Sequence, residues 1–206
     1  VVGDDTPGGT LTPELRTLLV QCARAGLDLV SGLHDHVCDD TEIAALARAA
    51  GATITDIRRT SRTRELRFWD GTVYSVRATR IAVLGTDSSA DRRTTARLLG
   101  AYLFFNEAAT TEIYTGRTGW MQGGRYGIVY DALIADFTAG ELEGAIMACA
   151  NDIDPDVMLI DGQGSFRNPS GPCGTGVLLS AAVSGVILAH APHRHRRPHT
   201  PPPLAH

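Results

Sequence analysis

Residues 80–96, RIAVLGTDSSADRRTTA, form the stretch that decides the fold. Residues 80–84 are apolar after Arg80 and have the composition of a buried strand, which leads into a turn that opens on Gly85. Hydroxyl and arginine side chains then stand at the start of a helix. Because backbone amides at a helix N-terminus attract anions, a strand, a glycine turn and a helix in this order predict a phosphate-binding loop.

This loop departs from the usual fingerprint, G-x-x-x-x-G-K-[ST]. Where a glycine and a lysine are expected before Thr94, residues 91–93 are Asp-Arg-Arg. An aspartate there places a negative charge beside a bound phosphate, whereas an arginine supplies the missing cation with a planar head. The alternative interpretation is an ordinary strand-to-helix turn, with Asp87 or Ser88 near the helix cap.

Composition narrows the classes of protein. The chain has 206 residues, 43% of them hydrophobic, and a formal net charge of -4. All 19 Lys and Arg side chains are arginine. This excludes a Schiff-base lysine, a lysine general base and the lysine of a standard phosphate loop. Three of these arginines lie in the tail 191–206, which leaves 16 against 23 acids in the rest of the chain. This acidic balance predicts no nucleic acid partner. The expected partner is a small-molecule substrate.

The cysteines and the apolar runs indicate where in the cell the protein is expected. The four cysteines are scattered without a C-x-x-C pair, which favours reduced thiols and a cytoplasmic protein. The longest apolar stretch, 177–189, is shorter than the roughly 18 residues that a membrane helix needs, so no membrane association is expected. Val1 rather than a methionine opens the chain, which is consistent with a fragment.

Strand and helix patterns alternate along the chain. The alternation predicts an α/β fold with a mostly parallel, doubly wound sheet and helices on both faces. The predicted strands are 27–33, 52–57, 80–84, 112–114, 157–160 and 185–189, and the predicted helices are 13–25, 40–50, 93–106, 131–150 and one that ends near 184. Ligands of such sheets bind at the carboxyl ends of the strands. Three polar, glycine-rich loops fall there, at 85–93, 115–127 and 161–174, and are expected to converge on one site.

Six segments, in this order, form a pattern that spans nearly the whole chain: VSGLHDHVCDD (30–40), the loop at 80–96, TGRTG (115–119), GIVYDALIADFTAGELE (127–143), LIDGQGSFRNP (159–169) and VILAHAPHRH (186–195). Together they resemble one family, the phosphate-loop-containing D-glutamate N-acetyltransferases, long catalogued as a domain of unknown function. The resemblance implies a partial Rossmann-like N-terminal unit at 1–66, a connector at 67–78 and a P-loop-type α/β unit at 79–190. A Pro-, His- and Arg-rich tail at 191–206 would follow.

The same resemblance implies a reaction. It is acyl transfer from acetyl-CoA to the amine of a D-amino acid such as D-glutamate, with the CoA phosphates in the loop. One alternative is a degenerate or truncated member that binds a nucleotide, CoA or a protein partner without turnover. Another is an ATP-dependent ligase or kinase like dethiobiotin synthetase, which would use a Mg-nucleotide and which the missing lysine disfavours. A homo-oligomer is left open, and a dinucleotide dehydrogenase is disfavoured because no G-x-G-x-x-G follows the first strand.

The candidate site residues come from the three loops. Asp161, at the end of a predicted buried strand, is the expected base or metal-side carboxylate. The expected oxyanion donors are Gln163 or the backbone amides of Gly162 and Gly164. By resemblance, the cosubstrate-binding set is Gly85, Thr86, Asp87, Arg92, Thr94 and Thr95. The substrate-binding set is Thr115, Arg117 and Asp131, which match family segments, together with Arg125, which is added for its residue type and its place in the middle loop. Arg117 and Arg125 are suited to clamping a substrate carboxylate.

A second polar cluster, His34-Asp35-His36 with Cys38, matches no common zinc spacing. We expect no metal there and interpret the cluster as a loop at a strand end.

Overall fold

A computed structural model describes residues 1–2, 7–60, 65–86, 90–162, 166 and 174–190. The chain forms two compact units, residues 1–63 and 64–206. Gln163, Gly164, Asp87 and the tail at 191–206 lie outside the described residues.

The N-terminal unit contains α1 (Pro13–Arg24), β1 (Leu29–Ser31), α2 (Thr41–Ala50) and β2 (Ile54–Asp56). The Thr12 hydroxyl accepts from the Leu15 amide at the start of α1, and the Asp40 carboxylate caps α2 in the same way. The two strands pair in parallel. Their core is aliphatic and is built around Leu19, Leu33 and Ile43.

The second unit has five strands, β3 (Thr79–Gly85), β4 (Thr110–Tyr114), β5 (Tyr126–Gly127), β6 (Val157–Asp161) and β7 (Gly185–Ala189). Its helices are α3 (Arg92–Phe105), α4 (Arg117–Met121), α5 (Ala135–Ile153) and α6 (Gly174–Ser180). The strand order is β5-β4-β6-β3-β7, and each of the four pairings is parallel. The predicted α/β class with a parallel sheet is confirmed.

Alternate strand residues face opposite helices. Met158 and Ile160 of β6 join the core made with Ile146 of α5 and Val177 of α6. Leu159, between them, lies 3.5 Å from where a Cβ on Gly100 of α3 would stand. Helix α3 therefore covers one face of the sheet, and α5 and α6 cover the other.

Two of the predicted helices have the wrong bounds. The helix expected from Asp131 begins at Ala135, because Leu133 and Ile134 keep extended backbones, and Asp131 lies in a one-turn 3-10 segment. The helix expected to reach residue 184 ends at Ser180, because Ala182 adopts a left-handed φ of 44°.

The glycine-rich segment 115–127 is also more regular than predicted, since it contains α4 and β5. Its glycines allow close packing on Tyr114. A Cβ on Gly119 or Gly127 would lie 2.2 Å from a Tyr114 atom, and one on Gly124 would lie 2.5 Å away. The three glycines therefore fold this segment around one tyrosine ring.

In the part of the chain that the structure describes, no helix combines the length and the apolar character that crossing a membrane requires.

Candidate functional site

The site lies between β3 and β6, which are neighbours in the sheet. From β3 the chain continues through α3 on one face, and from β6 it continues to α6 on the other face. Such a reversal leaves a crevice at the carboxyl ends of the two strands, where ligands of open α/β sheets bind. Gly85 ends β3 and Asp161 ends β6, so two of the three predicted loops start at this crevice.

Asp161 is the most buried charged group at this edge. Its side chain is 12% exposed, and its Oδ2 accepts a hydrogen bond of 2.9 Å from Nη1 of Arg93. Burial raises the pKa of the Asp161 carboxyl, and the nearby charges of Arg93 and Arg92 oppose that rise. The hydroxyl of the fully buried Thr115 donates to the Asp161 carbonyl oxygen, so Thr115 fixes the end of β6.

Arg93 connects several groups that the sequence analysis did not single out. Its Nη1 also donates to Glu112 Oε1 at 2.6 Å, and its Nε donates to Gln122. Arg97, one turn later on α3, donates to the same Gln122 oxygen at 2.9 Å. The only sequence signal for this network was a glutamate inside the strand TTEIY, where carboxylates are rare.

Glu112 and Asp161 share one arginine nitrogen. Burial, in the first place, raises the pKa of the Glu112 carboxyl, and the negative charge of Asp161 adds to the rise. Arg93 and Arg97 act in the opposite direction. The arrangement is a pair of desolvated carboxylates with a shared cation, which makes both of them better proton acceptors than exposed carboxylates.

The loop after β3 is described at both of its ends. Thr86 donates its amide to Ala189 at 3.0 Å, and its hydroxyl lies 2.9 Å from Nδ1 of His190. At the other end, Asp91 adopts φ 52° and ψ 33°, in the left-handed region. Glycine occupies that region freely, and glycine is the residue that the G-x-x-x-x-G-K-[ST] fingerprint has at this position.

Replacing Asp91 by glycine is expected to raise the free energy of unfolding by about 1 kcal/mol, because the left-handed backbone no longer carries a Cβ. Urea unfolding measures the change. The control is Asp91→Ala, which removes the carboxylate but keeps the backbone strain, and which should give no gain. Equal stability of the two variants would contradict the assignment of strain to Asp91.

The remaining predicted residues lie at the start of α3 or in the segment after β4. At the start of α3, Arg92 is half-buried and its charge acts on Asp161. Thr95 donates its hydroxyl to the Asp91 carbonyl oxygen, and Thr94 is exposed. Arg117 begins α4 and is half-buried, as is Asp131.

Arg125 makes its contacts elsewhere. It pairs with Asp152 in the last turn of α5 at 3.1 Å and lies over the Tyr126 ring. With 70% of its side chain exposed, Arg125 is held on the α5 side of the sheet. Asp161 and Glu112, by contrast, meet Arg93 on the α3 side. The structure therefore does not bring Arg125 together with the predicted base.

Within the described residues, no group of three or more His, Cys, Asp or Glu side chains is arranged to hold a metal ion.

In the loop after β1, burial raises the pKa of the Cys38 thiol to about 11. The Cys38 thiol therefore stays protonated at neutral pH.

Comparison with known proteins identifies the family. A profile described as "Domain of unknown function (DUF1611_C) P-loop domain" matches residues 67–205, and a "(DUF1611_N) Rossmann-like domain" profile matches residues 1–60. The chain belongs to the DUF1611 family.

Two curated relatives carry the name D-glutamate N-acetyltransferase. The protein of Tritonibacter scottomollicae is 35% identical over 198 residues, and that of Pseudoalteromonas sp. is 27% identical over 195 residues. Each match covers 94% of this chain and 56% of the relative, so the chain spans about half the length of these curated relatives.

A solved structure of a DUF1611 family protein from Anabaena variabilis ATCC 29413 has a similar fold. It superimposes with a TM-score of 0.82 at 26% identity and covers 90% of this chain and 52% of the solved one. The Rossmann-like and P-loop assignments of this DUF1611 chain are therefore supported by sequence and by structure.

Proposed function

We propose that this DUF1611 chain carries the reaction centre of an N-acetyltransferase that moves an acetyl group from acetyl-CoA to the amine of a D-amino acid such as D-glutamate. The observation that supports the proposal most is Asp161, a buried carboxylate of raised pKa at the crevice between β3 and β6. The names of the two curated relatives supply the transferred acetyl group and the acceptor.

The chemistry requires a neutral amine. The amine nitrogen attacks the thioester carbonyl carbon, a C–N bond forms and the C–S bond breaks. The ammonium group loses two protons in all. One protonates the departing thiolate, and the other passes through the base to water. A carboxylate whose pKa is raised by burial holds a proton more readily than an exposed one, and Asp161 is the proposed base.

The CoA phosphates fit the start of α3. This helix has 14 residues, arginine at its first two positions and no acidic side chain in its first turn. Amide groups at such a terminus and a neighbouring guanidinium favour phosphate. Arg92 then takes the place of the lysine of the usual loop, and Asp91 at the cap weakens the attraction.

Calorimetry and thiol release test the proposal together. We expect acetyl-CoA to bind with measurable heat, and D-glutamate to release free thiol from it. Heat with Mg-ATP and none with acetyl-CoA would favour the ligase or kinase alternative. Binding of acetyl-CoA without thiol release would favour a non-catalytic member, and no heat with either ligand would refute both enzyme hypotheses for this chain.

A loop variant tests the place of binding. The double substitution Asp91→Gly with Arg92→Lys is expected to tighten acetyl-CoA binding about tenfold, since it removes one carboxylate beside the phosphates and keeps the cation. The matched control is Arg77→Lys, an exposed arginine of the same unit, which should leave the affinity unchanged. An unchanged affinity in the double variant would mean that the loop is not the phosphate site.

A further inference from the structure

A cavity beside the carboxylate pair has no role in the account above. It lies between α3, β4 and the turn at 122–124, and its volume is about 280 Å³. Volumes near this value suit small ligands. On the α3 side the cavity is lined by small residues, which are Ala96, Gly100 and Ala101. Charged and amide side chains line the end nearest Asp161.

The charged groups at that end are Arg93, Arg97 and Glu112, with the amide of Gln122. A larger cavity of about 490 Å³ in the N-terminal unit is lined mostly by apolar side chains such as Leu15 and Leu19. Of these two cavities, the smaller has the charged side chains that can orient a charged ligand.

Arg97 has unused binding capacity. A guanidinium carries five N–H donors, and among the described residues Arg97 directs one hydrogen bond, to Gln122. Gln122 holds this guanidinium at the cavity wall, and Arg97 has no carboxylate partner among the described ion pairs. A planar fork held in this way is suited to a ligand carboxylate.

Glu112 has the complementary capacity. Its Oε1 accepts from Arg93, whereas Oε2 accepts no hydrogen bond in the described part of the chain. The side chain is 28% exposed and lines the same cavity as Arg97. Since burial destabilises the Glu112 charge, a cation placed against Oε2 would relieve that penalty.

We propose that the cavity between α3 and β4 binds the acceptor amino acid, with Arg97 receiving its side-chain carboxylate and Glu112 receiving its ammonium group. The assignment rests on the proposed acetyl transfer for the identity of the ligand. It places the amine beside the Arg93 nitrogen that also contacts Asp161, the proposed base. Arg97 thereby sets the preference for an acidic D-amino acid.

Binding of three small ligands, measured by calorimetry on the full chain without acetyl-CoA, tests the assignment. The ligands are D-glutamate, D-glutamine, which lacks the side-chain carboxylate, and glutarate, which lacks the amine. Arg97→Gln is expected to weaken D-glutamate about tenfold or more and to change D-glutamine less than twofold. Glu112→Gln is expected to weaken both amino acids and to spare glutarate, which also shows that the variant is folded.

The matched control is Arg77→Gln, which should leave the three affinities unchanged. Equal weakening of D-glutamate and D-glutamine by Arg97→Gln, or no weakening, overturns the assignment, as does a wild-type chain that binds none of the ligands.

The cavity assignment and the proposed acetyl transfer can be refuted independently of each other. Thiol release with an unchanged KM for D-glutamate in Arg97→Gln would refute the cavity and keep the proposed function. Selective D-glutamate binding through Arg97 without thiol release would support the cavity and refute the reaction.

Discussion

Asp161→Asn is expected to lower the rate of acetyl transfer about 100-fold or more, because general-base catalysis contributes factors of that size and an amide cannot take the proton. Thr115 donates to the backbone carbonyl of Asp161, and that contact survives the substitution. Arg93 keeps Glu112 as a partner. The loss should therefore appear in kcat with little change in the thermal unfolding midpoint.

The pH profile provides a second measurement. The base works in its ionised form, so the wild-type rate should fall as pH drops through the pKa of Asp161, which burial places above its ordinary value. The control variant is Asp154→Asn, at an exposed left-handed position that asparagine tolerates, and it should keep the wild-type rate and profile. Retention of more than about a tenth of the rate in Asp161→Asn would exclude this carboxylate as the base.

Arg93→Met is expected to lower the free energy of unfolding by about 3 kcal/mol at pH 7, since it leaves two partly buried carboxylates without their shared cation. Arg93, Glu112 and Asp161 are 19%, 28% and 12% exposed, so water screens them only in part. Urea unfolding of the wild type, Arg93→Met and the exposed control Arg77→Met measures the effect. The control should lie within about 0.5 kcal/mol of the wild type.

The loss should depend on pH with a definite sign. Folding raises the pKa values of Asp161 and Glu112 in the wild type, so the folded chain holds their protons more tightly than the unfolded chain does. The two carboxyl groups therefore contribute fully to the free energy of unfolding below the ordinary carboxyl pKa, and this contribution is lost as pH rises through their folded pKa values. Removing Arg93 raises both pKa values further and leaves more carboxyl groups protonated at pH 5. The difference between wild type and variant should therefore be smaller at pH 5 than at pH 7, and an equal difference at both pH values would show that the arginine acts by packing alone.

Several features of the site could be predicted from the sequence. The strand and the helix on either side of the predicted loop, and the buried strand before Asp161, are local patterns, and all three are where they were expected. Asp91 was noted as a charge in the loop, but only the backbone shows that it occupies a left-handed position.

Arg93, Arg97, Glu112 and Gln122 were not predicted as a group. Arg93 and Arg97 lie one turn apart on α3, but Glu112 belongs to β4 and Gln122 to the turn after α4, and no local spacing relates these two to the helix. Arg125, in contrast, was predicted as a ligand-binding residue from its place in the loop, and the structure pairs it with Asp152 of α5. In a parallel sheet both faces are buried, so apolar strands lack the alternation that would show which face a side chain takes.

The sequence by itself determined the α/β class, the order of the strands and helices outside segment 115–127, and the loops at the carboxyl ends of β3 and β6, since these depend on local periodicity and turn residues. Tertiary structure alone decided that β6 lies between β3 and β4, which brings Asp161 and Glu112 to one arginine. Strand order is set by contacts between segments far apart in the chain, and the free energy of those contacts is not written in any one segment.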